Sequence, residues 1–415
     1  MRKRNDHWTP LPVETFDIPV HEIRRGYRSD VYFWRSKVAL ENARRKTSVL
    51  MQVFQKKEAV ICGVDESLAV LKLGAGYYRD RKQAYELFDR YIDLKKAIRR
   101  MYFNSKEQML ELQKQRLDLQ QELDLLWCDG SGDLVVHTLR DGDEAEPWET
   151  VMTVEGPLYE FVHLETIYLG ILARRTRIAT NVRRVVEAAR GKPILYFPAR
   201  FDHWFLQGGD GYAAKIGGAT AVSTDAQGEW WGASGAGTIP HALIAVCSGN
   251  TVEAAQHFDV NFPETNLIAL VDFENDSVHT SLKVARALGK RLWGVRLDTS
   301  NTVVDRSVIP QMGQSNPTGV NPQLVWNVRR ALDKEGFEHV RIVASGGFNA
   351  ERIREFEKQS VPVDAYGVGS ALMAGNYDFT ADVVLVEGQP QAKVGRVYRP
   401  NPRLQRVWYF QKEEN

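Results

Sequence analysis

From residue 192 onward the chain alternates between two kinds of segment. Short apolar runs, most of them only four to eight residues long, are separated by longer amphipathic stretches. The runs are ILYFPA (194–199), ALIAV (242–246), NLIALVDF (266–273), LWGVRLD (292–298), VRIVASGG (340–347) and VDAYGVG (363–369). Between several of them lie SVHTSLKVARALGK, PQLVWNVRRALDKEG and NAERIREFEKQS, with apolar residues at helical spacing. Such runs read as buried strands, and the helical crossovers between them make the strands parallel. The number of units predicts an α/β architecture of the irregular (β/α) barrel kind rather than an open dinucleotide-binding sheet. No Gly-x-Gly-x-x-Gly follows an early strand, which argues in the same direction. Ahead of the barrel, 158–191 reads as helix ending at Gly191.

The first part of the chain has a different rhythm. Residues 27–40 read as a loop entering a helix, with Ser29 or Asp30 as the capping residue. The stretch VFQKKEAVICGVDESLAVLKLG reads as short strands and turns. From Arg81 to Trp127 there is neither Gly nor Pro, and apolar residues recur at helical spacing. This predicts a long helical insertion at about 81–127, broken near Asn104–Ser105, serving as a surface hairpin or as an oligomer contact.

Charge narrows the function classes. With 54 Lys and Arg against 53 Asp and Glu, nothing favours nucleic-acid or membrane binding through overall charge. No apolar run approaches the ~18 residues a membrane span needs. The basic N-terminus lacks the apolar segment of a signal peptide, so a cytoplasmic location is expected. Cys62, Cys128 and Cys247 are far apart and form no Cys-x-x-Cys pair, so neither disulfides nor a metal-ligating set is expected.

In a (β/α) barrel the chemistry lies at the C-terminal strand ends. Phe197 and Arg200 end the first run; they are either a stacking ring and a cation for a planar anion, or a core Phe and a surface Arg. His241 enters the second run, as a nucleophile or acid–base group, or merely as a backbone-bonded histidine. Arg296 and Asp298 lie two apart on a strand and so on one face; opposite charges there need each other or a ligand. Ser345, Gly346 and Gly347, then Gly367, Gly369 and Ser370, form tandem glycine turns at late strand ends, where such barrels bind phosphate.

In order along the chain, EGP (155–157), RIATNVRR (177–184), FPAR (197–200), IGGAT (216–220), GTIPHA (237–242), GVRLDTS, VASGGFN and YGVGSAL resemble the signatures of the nicotinate phosphoribosyltransferase family, which includes nicotinamide-using relatives. SDVY (29–32) resembles a further N-terminal motif of that family. The resemblance implies a type II phosphoribosyltransferase fold. A mixed α+β domain would comprise 1–155 and the C-terminal segment 376–415, packed on a barrel over 156–375. It implies transfer of phosphoribosyl from phosphoribosyl pyrophosphate to nicotinate in NAD salvage, with Mg2+, coupled to ATP hydrolysis, in a homodimer with shared sites. On that resemblance Phe197 and Tyr32 sandwich the pyridine, with Asp30 alongside Tyr32, and Arg200 holds the nicotinate carboxylate or the product phosphate. His241 is phosphorylated by ATP, Arg296 and Asp298 position the phosphoribosyl group, with Asp298 near the ribose hydroxyls or magnesium, and the glycine turns cradle the 5-phosphate. Nicotinamide-specific relatives carry a carboxylate near position 220; Thr220, Ser223 and Thr224 suit nicotinate, while Asp225 leaves the question open. The alternatives are a nicotinamide or quinolinate phosphoribosyltransferase, or a non-catalytic ligand-binding relative.

Overall fold

The computed structural model describes residues 8–100, 105–313 and 316–410, with the side chain of Tyr409 left aside. The chain divides into two compact units, Met1–Arg174 with Asn376–Asn415, and Arg175–Gly375.

The first unit is built from both ends of the chain. Its sheet runs in the spatial order Gln389–Pro390, Phe379–Val386, Ser48–Gln55, Thr150–Pro157, Val135–Thr138, Gln405–Arg406. Every pairing in it is antiparallel; Met51 faces Val383 on one side and Val154 on the other. Met51, Val53, Val136, Val154, Leu68 and Leu71 belong to one buried cluster, closed by Phe161, Leu164, Tyr168 and Leu172. Those last four residues explain why the boundary between the units falls at Arg174 rather than near 155. The first turns of the helix Glu165–Ala188 bury their apolar face in this core.

Two readings of this region change. Val64–Gly74 is a helix, not strands and turns, and it buries Leu68, Ala69, Val70 and Leu71. Asp30 occupies the cap position of the helix Val31–Asn42, but its side chain caps no helical N–H. It accepts instead from the Thr166 hydroxyl at 2.9 Å, while Ser29 Oγ donates to the His163 carbonyl.

The insertion is a helical hairpin, Arg81–Arg100 and Lys106–Leu126. Ser105 caps the second helix, its Oγ accepting from the Gln108 N–H at 3.3 Å; Asn104 lies outside the described residues. Leu87, Phe88, Tyr91, Leu119 and Leu123 close a small apolar cluster of its own.

The second unit carries the parallel sheet: Leu267–Leu270, Leu292–Leu297, Arg341–Ala344, Ala365–Val368, Ile194–Tyr196, Ala221–Val222 in spatial order. All five pairings are parallel. The crossover helices Ser277–Leu288, Pro322–Lys334 and Ala350–Lys358 fall where the periodicity predicts them. The two edge strands do not pair directly. An irregular segment joins them instead: the Ala236 N–H donates to Val222 O at 2.7 Å and the Ile239 N–H to Ile268 O at 3.4 Å. The sheet is thus a half-barrel, continued between its edges by backbone just ahead of His241. Residues 242–246, expected as a strand, lie in the helix His241–Val246. Pro240 ahead of it cannot donate to a ladder, and only Ile244 of the helix is buried, so a buried strand has nothing to gain here.

Candidate active site

Arg296 and Asp298 meet at the C-terminal end of the strand Leu292–Leu297, as their spacing predicts. Arg296 Nη2 lies 2.9 Å from Asp298 Oδ2, with both side chains about one-fifth exposed. The other two nitrogens of the guanidinium are also engaged. Nε donates to Ser345 Oγ at 2.8 Å and Nη1 to Thr238 Oγ1 at 3.0 Å. The Ser345 hydroxyl in turn donates to Asp298 Oδ1 at 2.6 Å. Three segments are thereby locked in one charge-assisted network, which fixes the Arg fork more firmly than a lone surface pair would.

The same guanidinium lies 5.1 Å from the centroid of the Phe197 ring. Phe197 follows the strand Ile194–Tyr196, and its N–H donates to Val368 O at 2.9 Å. The ring rests over Gly367: a Cβ there would lie 2.5 Å from the Phe197 ring. Gly369 makes the same allowance for Phe201, 2.7 Å from its virtual Cβ. Arg200 is exposed, its guanidinium 5.5 Å from the Phe201 ring. Ser370 is exposed one residue further on.

Gly346 and Gly347 both have positive φ, at 85° and 73°, a conformation that favours glycine. Their carbonyls accept from Arg352 Nη1 at 3.0 and 3.3 Å. Asn349 caps the following helix, its Oδ1 accepting from Arg352 N–H at 2.9 Å. Behind the turn Thr299 Oγ1 is buried with no hydrogen-bond partner among the described residues. A tight glycine turn leading into a helix N-terminus is suited to an anion.

His241 begins its helix, half-exposed, with Nε2 3.1 Å from Asp272 Oδ1. Asp272 is buried. Burial pushes its carboxyl up from the usual carboxylate range, the His241 imidazole holds it back, and the neighbouring Asp298 pushes it up again. The two carboxylates therefore sit close enough to feel each other. Oxygen donors of this kind fit Mg2+, which would relieve that repulsion.

Phe197, His241, Arg296, Asp298, Ser345, Gly346, Gly347 and Gly367 thus lie at neighbouring strand ends of the second unit. Thr220 does not. Its hydroxyl donates to the Ile194 carbonyl at 2.9 Å, at the start of that strand and so at the opposite end of the sheet from Phe197. Ser223, Thr224 and Asp225 follow the strand Ala221–Val222 at the correct end. Their groups are used locally: Thr224 Oγ1 donates to Gln207 Oε1 at 3.0 Å, and Asp225 Oδ1 accepts from Gly235 N–H at 2.8 Å. Tyr32 and Asp30 belong to the first unit, where Tyr32 is exposed. Thr238, Asp272 and Arg352 are additional residues of the site. Thr238 stands inside GTIPHA and Asp272 is the penultimate residue of the run NLIALVDF, and neither has a sequence pattern of its own that marks it.

Residues 178–380 match the quinolinate phosphoribosyl transferase C-terminal domain family. Nicotinate phosphoribosyltransferase pncB1 of Mycobacterium tuberculosis is 31% identical over 265 residues, 61% of this chain and 54% of that protein. Nicotinate phosphoribosyltransferase of Bacillus subtilis is 25% identical over 250 residues, 58% of this chain and 46% of that one. The chain spans about half the length of these curated relatives. The crystal structure of nicotinate-nucleotide pyrophosphorylase from Pyrococcus furiosus superposes with TM-score 0.69 at 30% identity, covering 94% of this chain and 85% of that one. Human nicotinic acid phosphoribosyltransferase shares the fold, with TM-score 0.60 at 18% identity over 89% and 77% of the two chains. The 30% identity across most of both chains places this chain in the same family as the Pyrococcus furiosus nicotinate-nucleotide pyrophosphorylase.

Proposed function

We propose that the chain transfers phosphoribosyl from phosphoribosyl pyrophosphate to nicotinate, releasing pyrophosphate, and that ATP is consumed through His241. The observation that carries this reading is the Arg296 network, which ties an aromatic platform to a carboxylate and to the glycine turn. Phe197 offers its ring to the pyridine, and Arg200 is the exposed cation for the nicotinate carboxylate. The pyridine nitrogen attacks the anomeric carbon. A C–N bond forms, the C–O bond to pyrophosphate breaks, and the pyrophosphate leaves with the electron pair. Positive charge gathers on the sugar along the way, and Asp298, held in place by Arg296 and Ser345, stabilises it. The turn Ser345–Gly346–Gly347, with Gly367, Gly369 and Ser370, receives the 5-phosphate. Asp272 and Asp298 are the groups that would hold Mg2+, whose chemistry is to neutralise the departing pyrophosphate.

With Nε2 committed to Asp272, His241 presents Nδ1 as its lone-pair nitrogen. That nitrogen takes the γ-phosphoryl of ATP: an N–P bond forms and the P–O bond to ADP breaks. The phosphohistidine adds negative charge beside the magnesium subsite and so couples ATP use to substrate affinity. Tyr32 and Asp30 are assigned to the neighbouring subunit's site in a homodimer. The reaction would serve NAD salvage in the cytoplasm.

A second reading, a quinolinate enzyme that also releases carbon dioxide, is favoured by the family model over 178–380. The His241–Asp272 pair has no role in it. One assay separates the two. Chain, Mg2+ and phosphoribosyl pyrophosphate are supplied with nicotinate, nicotinamide or quinolinate, with and without ATP. Mononucleotide from nicotinate, with ATP stimulation that His241→Ala abolishes, supports the first reading. Carbon dioxide from quinolinate overturns it, and product from nicotinamide alone moves the substrate to the amide.

A further inference from the structure

Cys247 caps the C-terminus of the helix His241–Val246, and the chain then turns sharply into the helix Thr251–Asn261. Ser248 and Gly249 both take positive φ, at 54° and 83°, to make that turn. Asn250 caps the next helix, its Oδ1 accepting from Glu253 N–H at 3.2 Å, which fixes where the first turn of that helix points. Glu253 and His257 are four residues apart on it and therefore share one face. Their Oε1 and Nε2 are 3.8 Å apart. Cys247 Sγ joins them: one ligand atom from each of the three residues lies within 4.8 Å of the other two. Among the described residues this is where Cys, His and carboxylate ligand atoms converge.

We propose that Cys247, Glu253 and His257 bind a borderline-soft divalent transition ion of the Zn2+ kind. The donor set decides the class. A thiolate, an imidazole and a carboxylate suit Zn2+ far better than Mg2+ or Ca2+, which take oxygen. The geometry fits as well. Ligands at ~2.0–2.3 Å around a tetrahedral ion sit roughly 3.5 Å from one another, so the three atoms need only a small inward movement. Cys247 is buried, whereas Glu253 and His257 are exposed, so the ion enters from solvent and keeps a fourth position for water. The thiol gives its proton to solvent as the S–metal bond forms. The site is separate from the carboxylates proposed for Mg2+, and its placement gives it a role. It staples the end of the His241 helix to the first two turns of the next helix, across the turn at Ser248–Gly249.

The test is a titration of the full chain, freed of metal by chelation, with Co2+ in excess Mg2+. The expected result is one equivalent bound per chain with a thiolate-to-cobalt charge-transfer band. Oxygen-only sites such as Asp272 with Asp298 give no such band. Cys247→Ser should abolish the band, and His257→Ala, an exposed change that leaves the core untouched, should weaken binding at least ~10-fold. Cys128→Ser should leave both unchanged. Absence of the band in the native chain at saturating Co2+ overturns the proposal, as does a band that survives in Cys247→Ser or an affinity unaltered by His257→Ala.

Discussion

Gly367 shows how the site depends on single atoms. The Phe197 ring occupies the place a Cβ would take, 2.5 Å from it. Gly367→Ala must push the ring off its seat and away from Arg296. The expected outcome is a rise of ~10-fold or more in KM for nicotinate, with kcat changed less, because stacking is lost and the chemistry is not. Arg296→Lys keeps the charge but loses the fork that reaches Thr238, Asp298 and Ser345 together. Steady-state kinetics should show kcat/KM reduced by ~100-fold, the scale of losing an oriented charge in a reaction centre. Glu165 carries the clearest pH signature. Burial, with Asp382 and Asp30 nearby, raises its pKa from 4.5 to about 8. The folded state therefore holds this proton after the unfolded chain has lost it, so its contribution is full at low pH and is lost as pH rises from 4.5 to about 8. Native stability should fall across that window relative to Glu165→Gln, as followed by denaturant midpoints; parallel curves would contradict the assignment. At this scale the sequence was legible where spacing has one geometric meaning. Arg296 and Asp298 two apart on a strand must share a face, and they do. It was illegible for Asp272, since one acid at the end of an apolar run has no pattern around it. For Thr220 a strand of two residues decided everything, because a shift of three positions moves a side chain to the other end of the sheet.

Elements were legible by the same logic. The crossover helices carry strong 3.6-residue periodicity and stand where it predicts them. ALIAV, by contrast, is five apolar residues after a proline, and such a run can be strand or helix. The half-barrel leaves its edges bridged by irregular backbone at Ala236 and Ile239, so there was no room for a strand at 242–246. Placing His241 at a helix start rather than at a strand junction gives it Asp272 as a partner. The hairpin at 81–126 illustrates capping. Ser105→Ala removes the acceptor for Gln108 N–H, at a cost of about 1 kcal/mol to the first turn. Hydrogen exchange of the Gln108 amide should accelerate about fivefold, while the amides around Leu123 in the apolar cluster stay protected. An unchanged Gln108 rate would show that the cap carries nothing.

For the molecule as a whole, the six-stranded antiparallel sheet of the first unit takes its strands from both parts of the chain that make up that unit. The strand Phe379–Val386 pairs along almost the whole of Ser48–Gln55. Removing residues 376–415 exposes that long edge, and the shortened chain should aggregate on size-exclusion chromatography. A monodisperse product would contradict the interdependence of the two ends. No described helix is long and apolar enough to cross a membrane. The measurement that bears most directly on the whole account is the initial rate of nicotinate mononucleotide formation from nicotinate and phosphoribosyl pyrophosphate with Mg2+, for the native chain beside Asp298→Asn. The strand-end network as the seat of phosphoribosyl transfer predicts turnover in the native chain and its loss, by ~100-fold or more, in the variant. No product from the native chain with or without ATP, or an equal rate from Asp298→Asn, would contradict it.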